Sequence, residues 1–457
     1  MHDRRSPMHF HLFAKSISIH HLILLIANLL FLMFALEACG ERNTPFDFAE
    51  GLRKHNKITV TEQYGKSLRG AIDGIGILVL RGTYEEMGEA HGALAGNEIL
   101  TVLDQTFISY INKKKPNAWD EAMIPLAKSF KFPENYEKEL AAIIWGIRKA
   151  HPNGQDRMLT SIGREITIDD LRALNCINDI TNWTSGGCSS FSAWGSLTED
   201  GRLICGRNLD YQSLPGSKPF MVLAREPSEK ERKATIEISG PGYIGSTTAM
   251  NADGVFAMMH YVEGSVVRNL PRSVPRAIVV REALETVQSS DSIEKVAHIF
   301  RNRSVRIGNN THIALPIQKS LSDFSPFVIE WDGNSLDDGA TIRPSDPSIV
   351  RDAIICTNHF IKRNSGKTKR FVDSEMRFEL LARELRGFQA TRTEINFERA
   401  VKMMHSVSRS GETVTYLTVV AFPNAKKMIF AVTPARGVSA TKGEWVEIDW
   451  NSLFGIE

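Results

Sequence analysis

The order of apolar periods along the chain predicts an α+β protein in which stacked β-sheets are covered by helices. Three observations carry this reading. Helical spacing dominates most of residues 40–187, strand spacing takes over at Cys188, and two helical runs followed by a closing hairpin end the chain. At 457 residues the chain can bury one large core or form about two or three domains.

Taken in order, the first segment carries Arg4, Arg5 and Lys15, an apolar run over 22–35 broken by Asn28, then Leu36-Glu37-Ala38-Cys39-Gly40. This reads as an export signal over 1–39, its apolar run short of the usual length of a membrane span. Its end resembles a bacterial lipoprotein signal, in which Cys39 becomes the lipid-bearing first residue of an exported, membrane-attached protein. Glu37 departs from that pattern, and a plain secretory signal or an uncleaved anchor are the alternatives. A strand follows over 75–80, then a helix opened by a capping box at Thr83 and Glu86. His91 in that helix is read as a packed histidine near Gly88 and Gly92 rather than a catalytic one. Further helices are expected at 134–150 and 167–180, the latter with Thr167 as N-cap.

Beyond Cys188 strands are expected at 188–196, 202–209, 220–225, 233–240 and 246–262, helices near 274–303, and strands near 310–331 and 351–357. Helices near 372–387 and 394–406 precede a hairpin of 413–422 with 427–433. The polar runs at 226–233 and 361–370 read as exposed loops.

Composition narrows the function. With 55 basic and 53 acidic residues and a net charge of +2, nothing in the balance suits nucleic acid. Of the five cysteines, setting aside Cys39 and Cys188 leaves Cys176, Cys205 and Cys356, which allow one bridge at most. Cys205 and Cys356 lie in apolar runs and read as core. There is no CxxC and no HExxH, and His312 and His359 lack partners at ligand spacing, so no metal and no cofactor is expected. Sequons at Asn182, Asn302 and Asn309 matter only in a glycosylating compartment.

The chemistry concentrates in Gly186–Tyr211, GGCSSFSAWGSLTEDGRLICGRNLDY, a hairpin pattern with Cys188 at its leading edge. The second strand brings Arg207 and Asp210 near the thiol. A cation favours the thiolate, which is the nucleophilic form. No histidine lies close in sequence to act as base. Cleavage between Gly187 and Cys188 would free an α-amine of ordinary pKa about 7.7–8.0, able to serve as that base, with Asp210 holding it. A buried structural cysteine beside a surface Arg and Asp is the plain alternative.

This stretch resembles the nucleophile hairpin of the N-terminal-nucleophile hydrolases, in the cysteine branch of choloylglycine hydrolases, penicillin V acylases, acid ceramidase-like amidases and acyl-coenzyme A:6-aminopenicillanic acid acyltransferases. Cys188 matches the nucleophile, and GRNLD matches the Arg and Asp. TTAMNADGVFAMMHY implies Asn251 as an oxyanion donor, although Asn-Ala-Asp-Gly is also good turn chemistry. CTNHF implies Asn358, and DSEMRFELL implies Arg377. The opening of the first helix, GTYEEMGEAHG, is similar to the propeptide of the acyltransferase branch.

The resemblance implies a four-layer αββα sandwich. It also implies a propeptide or small chain over 40–187 that stays bound to a catalytic chain over 188–457 after cleavage at Gly187–Cys188. The implied activity acts on linear amide bonds of small N-acyl substrates through a Cys188 thioester; the export signal argues against coenzyme A, chiefly cytosolic, as acyl donor and so favours hydrolysis, with fatty or aromatic acyl groups ahead of peptides. Phe220, Met221, Met258, Met259, Tyr261 and Phe360 are candidates for an acyl pocket or for core. Three alternatives stand beside it: transfer of the acyl group to an amine, a ligand-binding surface lipoprotein without turnover, and an uncleaved enzyme using His260 or His359 as base.

Overall fold

Residues 58–82 form three strands: β1 (Thr59–Tyr64), β2 (Ser67–Ile72) and β3 (Ile75–Gly82). The β2–β3 turn places Asp73 and Gly74 at φ 49° and 76°, the left-handed pair that a two-residue hairpin turn requires. The computed structural model describes residues 58–180, 187–214, 220–262, 273–316, 326–333, 340–363 and 372–455. The export segment with Cys39, the sequon at Asn182, Gly186, and the 364–370 part of the second polar loop lie outside these.

Helix α1 (Tyr84–Thr101) starts at the expected capping box, with Thr83 Oγ1 accepting from Glu86 N–H and Glu86 Oε2 accepting from Thr83 N–H. It packs on α2 (Glu134–Ala150) so closely that a Cβ on Gly146 would sit 1.9 Å from Glu89 O. Only glycine allows the two backbones this approach. Shorter helical segments fill 102–114 and 119–128, and the helix expected over 167–180 is split into α3 (Ile168–Asn175) and a single turn, Ile177–Ile180.

Two antiparallel strands, β4 (Gly187–Ala193) and β5 (Ile204–Gln212), form the predicted hairpin. There follow β6 (Met221–Pro227), β7 (Thr235–Ser239), β8 (Thr248–Asn251) and β9 (Phe256–Tyr261). The single strand expected at 246–262 is thus two strands joined by a tight turn. Helices α4 (Arg276–Thr286) and α5 (Ile293–Arg301) lie within 274–303, where helices were expected. β10 (Asn309–Ala314), β11 (Phe327–Trp331), β12 (Thr341–Arg343) and β13 (Ala353–Cys356) come next. α6 (Val372–Thr391), α7 (Phe397–Ser406), β14 (Thr413–Phe422), β15 (Lys427–Val432) and β16 (Trp445–Asp449) end the chain.

Among the described residues these strands make a ten-stranded sheet, β1-β2-β3-β6-β7-β8-β9-β10-β11-β12, and a six-stranded sheet, β13-β4-β5-β14-β15-β16, beside a small pair of Met158–Leu159 with Arg164–Glu165. β3 pairs in parallel with β6, so the N-terminal region contributes three strands to the large sheet as well as helices. Alternation divides the side chains by face. Leu78, Leu80, Ala249, Ala257 and Met259 join the helix-side core under α1–α4, whereas Ile77, Val79, Met250 and Met258 meet Leu209, Val419 and Phe430 between the sheets. α6 and α7 cover the outer face of the small sheet. The arrangement is the expected αββα sandwich. No helix among the described residues is long and apolar enough to cross a membrane.

Candidate active site

The β4–β5 register pairs Gly187 with Asp210, Cys188 with Leu209, Ser189 with Asn208 and Ser190 with Arg207. By alternation Cys188, Ser190, Arg207 and Leu209 face the layer between the sheets, while Gly187, Ser189, Asn208 and Asp210 face α6 and α7. Arg207 and Asp210, three positions apart, therefore lie on opposite faces of β5. Arg207 is fully buried and donates to Met259 O at 2.6 Å and Asn208 O at 3.0 Å, which ties the hairpin to the large sheet.

Asn358 and Arg377 meet at Cys188. The Cys188 backbone N–H donates to Asn358 Oδ1 at 2.7 Å, and Arg377 Nη2 donates to the same oxygen at 2.9 Å. Asn358 Nδ2 donates to Tyr261 O at 2.7 Å. Two donors on one side and a carbonyl on the other fix which end of this amide faces the cysteine. Arg377 Nη1 also donates to Cys188 O at 2.6 Å and Ser189 Oγ at 2.7 Å, and its Nε to Asp373 Oδ2 at 2.9 Å. Ser374 at the start of α6 accepts the Asn358 N–H at 2.7 Å.

Asp210 is buried at the end of β5. Its Oδ1 accepts from Thr415 Oγ1 at 2.7 Å; its Oδ2 has no hydrogen-bond partner among the described residues and lies 3.5 Å from Arg409 Nε. Burial pushes this carboxyl up, opposed first by Arg377 and then by Arg409. Gly187 sits directly against the group. A Cβ there would lie 3.2 Å from each of Asp210 Oδ2, Arg377 Nη2 and Arg409 Nη2, so a side chain ahead of Cys188 would be crowded by three charged ends.

Asn251 is not part of this cluster. It lies at odd register from Thr248 and Met250, on the helix-side face of the large sheet, with Nδ2 donating to Leu284 O at 2.9 Å and Val287 O at 2.8 Å. Its Oδ1 accepts from Asp253 and Val255 N–H. Both Nδ2 hydrogens are consumed, so the expected oxyanion donor is instead a turn and strand-end clamp.

The histidines have other partners. His260 Nδ1 lies 3.1 Å from Met258 O and must donate to it, so Nε2 accepts from Ser190 Oγ at 2.9 Å; Ser190 in turn accepts from His312 Nδ1 at 2.9 Å. Burial holds His260 well below its ordinary pKa and pulls His312 down to about 3. His359 turns Nδ1 to Ser374 Oγ at 2.8 Å. Among the described residues neither His260 nor His359 hydrogen-bonds Cys188. His91 is fully buried and its Nε2 accepts from Gly242 N–H at 3.0 Å, a packed histidine as read from the sequence.

An apolar cavity of about 110 Å³ opens beside Leu209, the cross-strand partner of Cys188, and is lined also by Tyr211, Phe220, Tyr243, Val102 and Ile177. Phe220 thus faces this cavity, while Met221, Met258 and Met259 belong to core clusters. Cys176, Cys188, Cys205 and Cys356 are all buried and unbridged. Among the described residues no three His, Cys, Asp or Glu side chains gather as a metal site. Sequence reasoning missed Arg409 and Thr415, and named Tyr261 as a pocket or core candidate rather than for the backbone carbonyl that orients Asn358. Arg409 lies in an irregular Ser-Arg-Ser-Gly loop with no periodic signal, and only the pairing of β14 with β5 brings it to Asp210.

An uncharacterized protein of Archaeoglobus fulgidus is 22% identical over 345 residues, covering 69% of this chain and 56% of that protein, so the chain spans little more than half its length. Among solved structures, a Caenorhabditis elegans N-acylethanolamine-hydrolyzing acid amidase ortholog covers 57% of this chain and 99% of its own, at 15% identity and TM-score 0.38. A variant of conjugated bile acid hydrolase from Clostridium perfringens covers 58% and 93%, at 12% identity and TM-score 0.39. Penicillin V acylase from Agrobacterium tumefaciens covers 59% and 94%, at 13% identity and TM-score 0.36. The match to a family runs over residues 196–433, beginning just after Cys188 and including Arg207, Asp210, Asn358, Arg377 and Arg409. With more than half of its 457 residues matched, the chain belongs to the acyl-coenzyme A:6-aminopenicillanic acid acyl-transferase family.

Proposed function

We propose that the protein is a self-cleaving cysteine amidase that hydrolyses linear C–N amide bonds of N-acyl substrates. One observation carries the reading: the Cys188 backbone nitrogen donates to Asn358 Oδ1, which Arg377 fixes while it also donates to Cys188 O, and an Asp210 oxygen without a hydrogen bond among the described residues faces Gly187. In the first act the Cys188 thiol attacks the Gly187 carbonyl carbon. The C–N bond breaks, the nitrogen takes the thiol proton, and water splits the resulting thioester into a Gly187 carboxylate and a free thiol.

In the second act the freed α-amine takes the thiol proton, with Asn358 Oδ1 and Asp210 as its acceptors. The thiolate attacks a substrate carbonyl, the amine product leaves with the proton, and water resolves the acyl-thioester. Asn358 Nδ2 spends one hydrogen on Tyr261 O and offers the other to the oxyanion, an interaction typically worth about 3–4 kcal/mol. The apolar cavity beside Leu209 supports a fatty or aromatic acyl group. Membership of an acyl-transferase family favours a second reading, in which an amine rather than water receives the acyl group.

The test is a panel of N-acyl amides with fatty, aromatic and peptidyl acyl groups, with amine release followed alone and with an added acceptor amine. Release by wild type, abolished in Cys188→Ala, is expected, and a new amide formed with the acceptor would favour transfer. Ligand binding without release of amine from any member would sink the reading in favour of a binding protein.

A further inference from the structure

Arg409 holds both oxygens of Asp210. Its backbone N–H donates to Thr415 Oγ1 at 2.8 Å, and Thr415 Oγ1 donates to Asp210 Oδ1 at 2.7 Å. Its side chain meets the other oxygen, with Nε 3.5 Å from Asp210 Oδ2. The loop is drawn tight by a second backbone bond, Thr415 N–H to Arg409 O at 3.0 Å. A bulge in β14 between Thr415 and Leu417 breaks the pairing with β5 at this point and aims Thr415 at the carboxylate.

The same guanidinium pairs with Asp373 Oδ2, the atom that accepts from Arg377 Nε at 2.9 Å. Asp373 is thus a common anchor for two arginines, and both arginine tips lie 3.2 Å from the position of a Gly187 Cβ. Three side chains from β5, α6 and the β14 loop therefore bracket the residue ahead of Cys188.

We propose that Arg409 is a positioning residue of the candidate active site, acting through Asp210: clamped to Asp373, it holds the Asp210 carboxylate against Gly187, where the amine of Cys188 would be released. This rests on the self-cleaving reading above. The groups facing Asp210 are Arg377 on α6, Arg409 and Thr415 beside β14, and Gly187–Cys188 on β4, with Arg207 acting from the opposite face of its own strand and Asp373 behind the two arginines. Loss of Arg409 removes a positive charge from a buried carboxylate, which moves that group's protonation to higher pH.

The test follows the appearance of the Cys188 fragment by intact mass against pH, in full-length wild type, Cys188→Ala, Arg409→Gln, Arg409→Lys and Thr415→Val, with circular dichroism as the check on folding. Arg409→Gln is expected to slow cleavage about 10- to 100-fold and to move the acid limb up by about one pH unit, with Arg409→Lys recovering most of both. Thr415→Val, which keeps every charge, is expected to move the limb in the same direction and carries the test if Arg409→Gln does not fold. Cleavage at the wild-type rate and pH dependence in a folded Arg409→Gln or Thr415→Val overturns this proposal alone. A wild type that stays uncut like Cys188→Ala overturns the self-cleaving reading and this proposal with it.

Discussion

The charged groups beneath α2 are fully buried, whereas two that close the cluster at Cys188, Arg409 and Asp373, are 22% and 58% exposed. Under α2, Glu139 meets Arg281 Nη1 at 2.7 Å, and Arg281 Nε meets Glu285 at 2.7 Å. Glu285 also accepts from Tyr136 and Tyr84, and Arg225 pairs with Glu237 at 3.1 Å while donating to Tyr243 O. Arg281 lies over the ring of Tyr136, 5.0 Å from its centroid. These partners come from α1, α2, α4, β6 and β7. Their pairing joins the region before Cys188 to the region after it.

At Cys188 the backbone nitrogen donates to Asn358 Oδ1, Asn358 Nδ2 gives one hydrogen to Tyr261 O, and Asp210 Oδ2, 3.5 Å from Arg409 Nε, faces a glycine. Buried charges cost free energy whether or not they act. In the α2 network that cost is offset by mutual pairing, which makes it an anchor. At Asp210 it is offset by the partly exposed Arg409, and the carboxylate sits against Gly187, the residue ahead of Cys188.

The comparison can be broken or sharpened in four ways. The largest effect is expected from Glu139→Ala, which leaves Arg281 and Arg225 short of a counter-charge inside the fold. Urea unfolding should show a loss of about 3–5 kcal/mol, and a loss below about 1 kcal/mol would mean that the α2 network anchors nothing. Arg377→Ala, by contrast, should retain the fold while slowing Cys188-dependent cleavage about a hundredfold, read by intact mass over time. Third, Asn251→Ala should cost about 2 kcal/mol from its lost backbone bonds, with the cleavage rate per folded molecule unchanged. A large drop in that rate would restore Asn251 to the chemistry.

The fourth concerns pH. His91 and His312 are held neutral by burial, each with its pKa pulled to about 3, and His260 is held well below its ordinary value. An unfolded chain binds these protons below about pH 6.5 while the folded chain does not, so stability is complete above that pH and falls as pH drops toward about 3. Each histidine contributes up to about 1.4 kcal/mol per pH unit within that window. Denaturation from pH 7 to 5 should show this slope, and His312→Asn should flatten it.

Much of this was legible in the sequence, and the reasons are local. The β4–β5 hairpin shows as alternation around a turn, the α1 start as a capping box, and Asn358 and Arg377 as short motifs in a fixed order. The misreading of Asn251 has a physical cause. The motif gives the residue type, but whether it faces the site depends on strand parity, and the break between β8 and β9 within 246–262 was read through as one strand. The Asn-Ala-Asp-Gly turn was visible and is what the residue serves.

Arg409, Glu139 and Arg281 were illegible for another reason. Charged residues in loops or helices read as solvated until tertiary packing buries them, and their partners are distant in sequence. β1 and β2 were missed because their apolar alternation is weak and β1 is mostly exposed.

The most direct measurement is the intact mass of purified wild type beside Cys188→Ala, with N-terminal sequencing of any fragment. Two wild-type chains, one beginning Cys-Ser-Ser-Phe, and a single uncut chain in the mutant are the predicted result. A wild type that stays whole under all conditions, with a cysteine that reacts no differently from that of an ordinary buried thiol, would contradict the account.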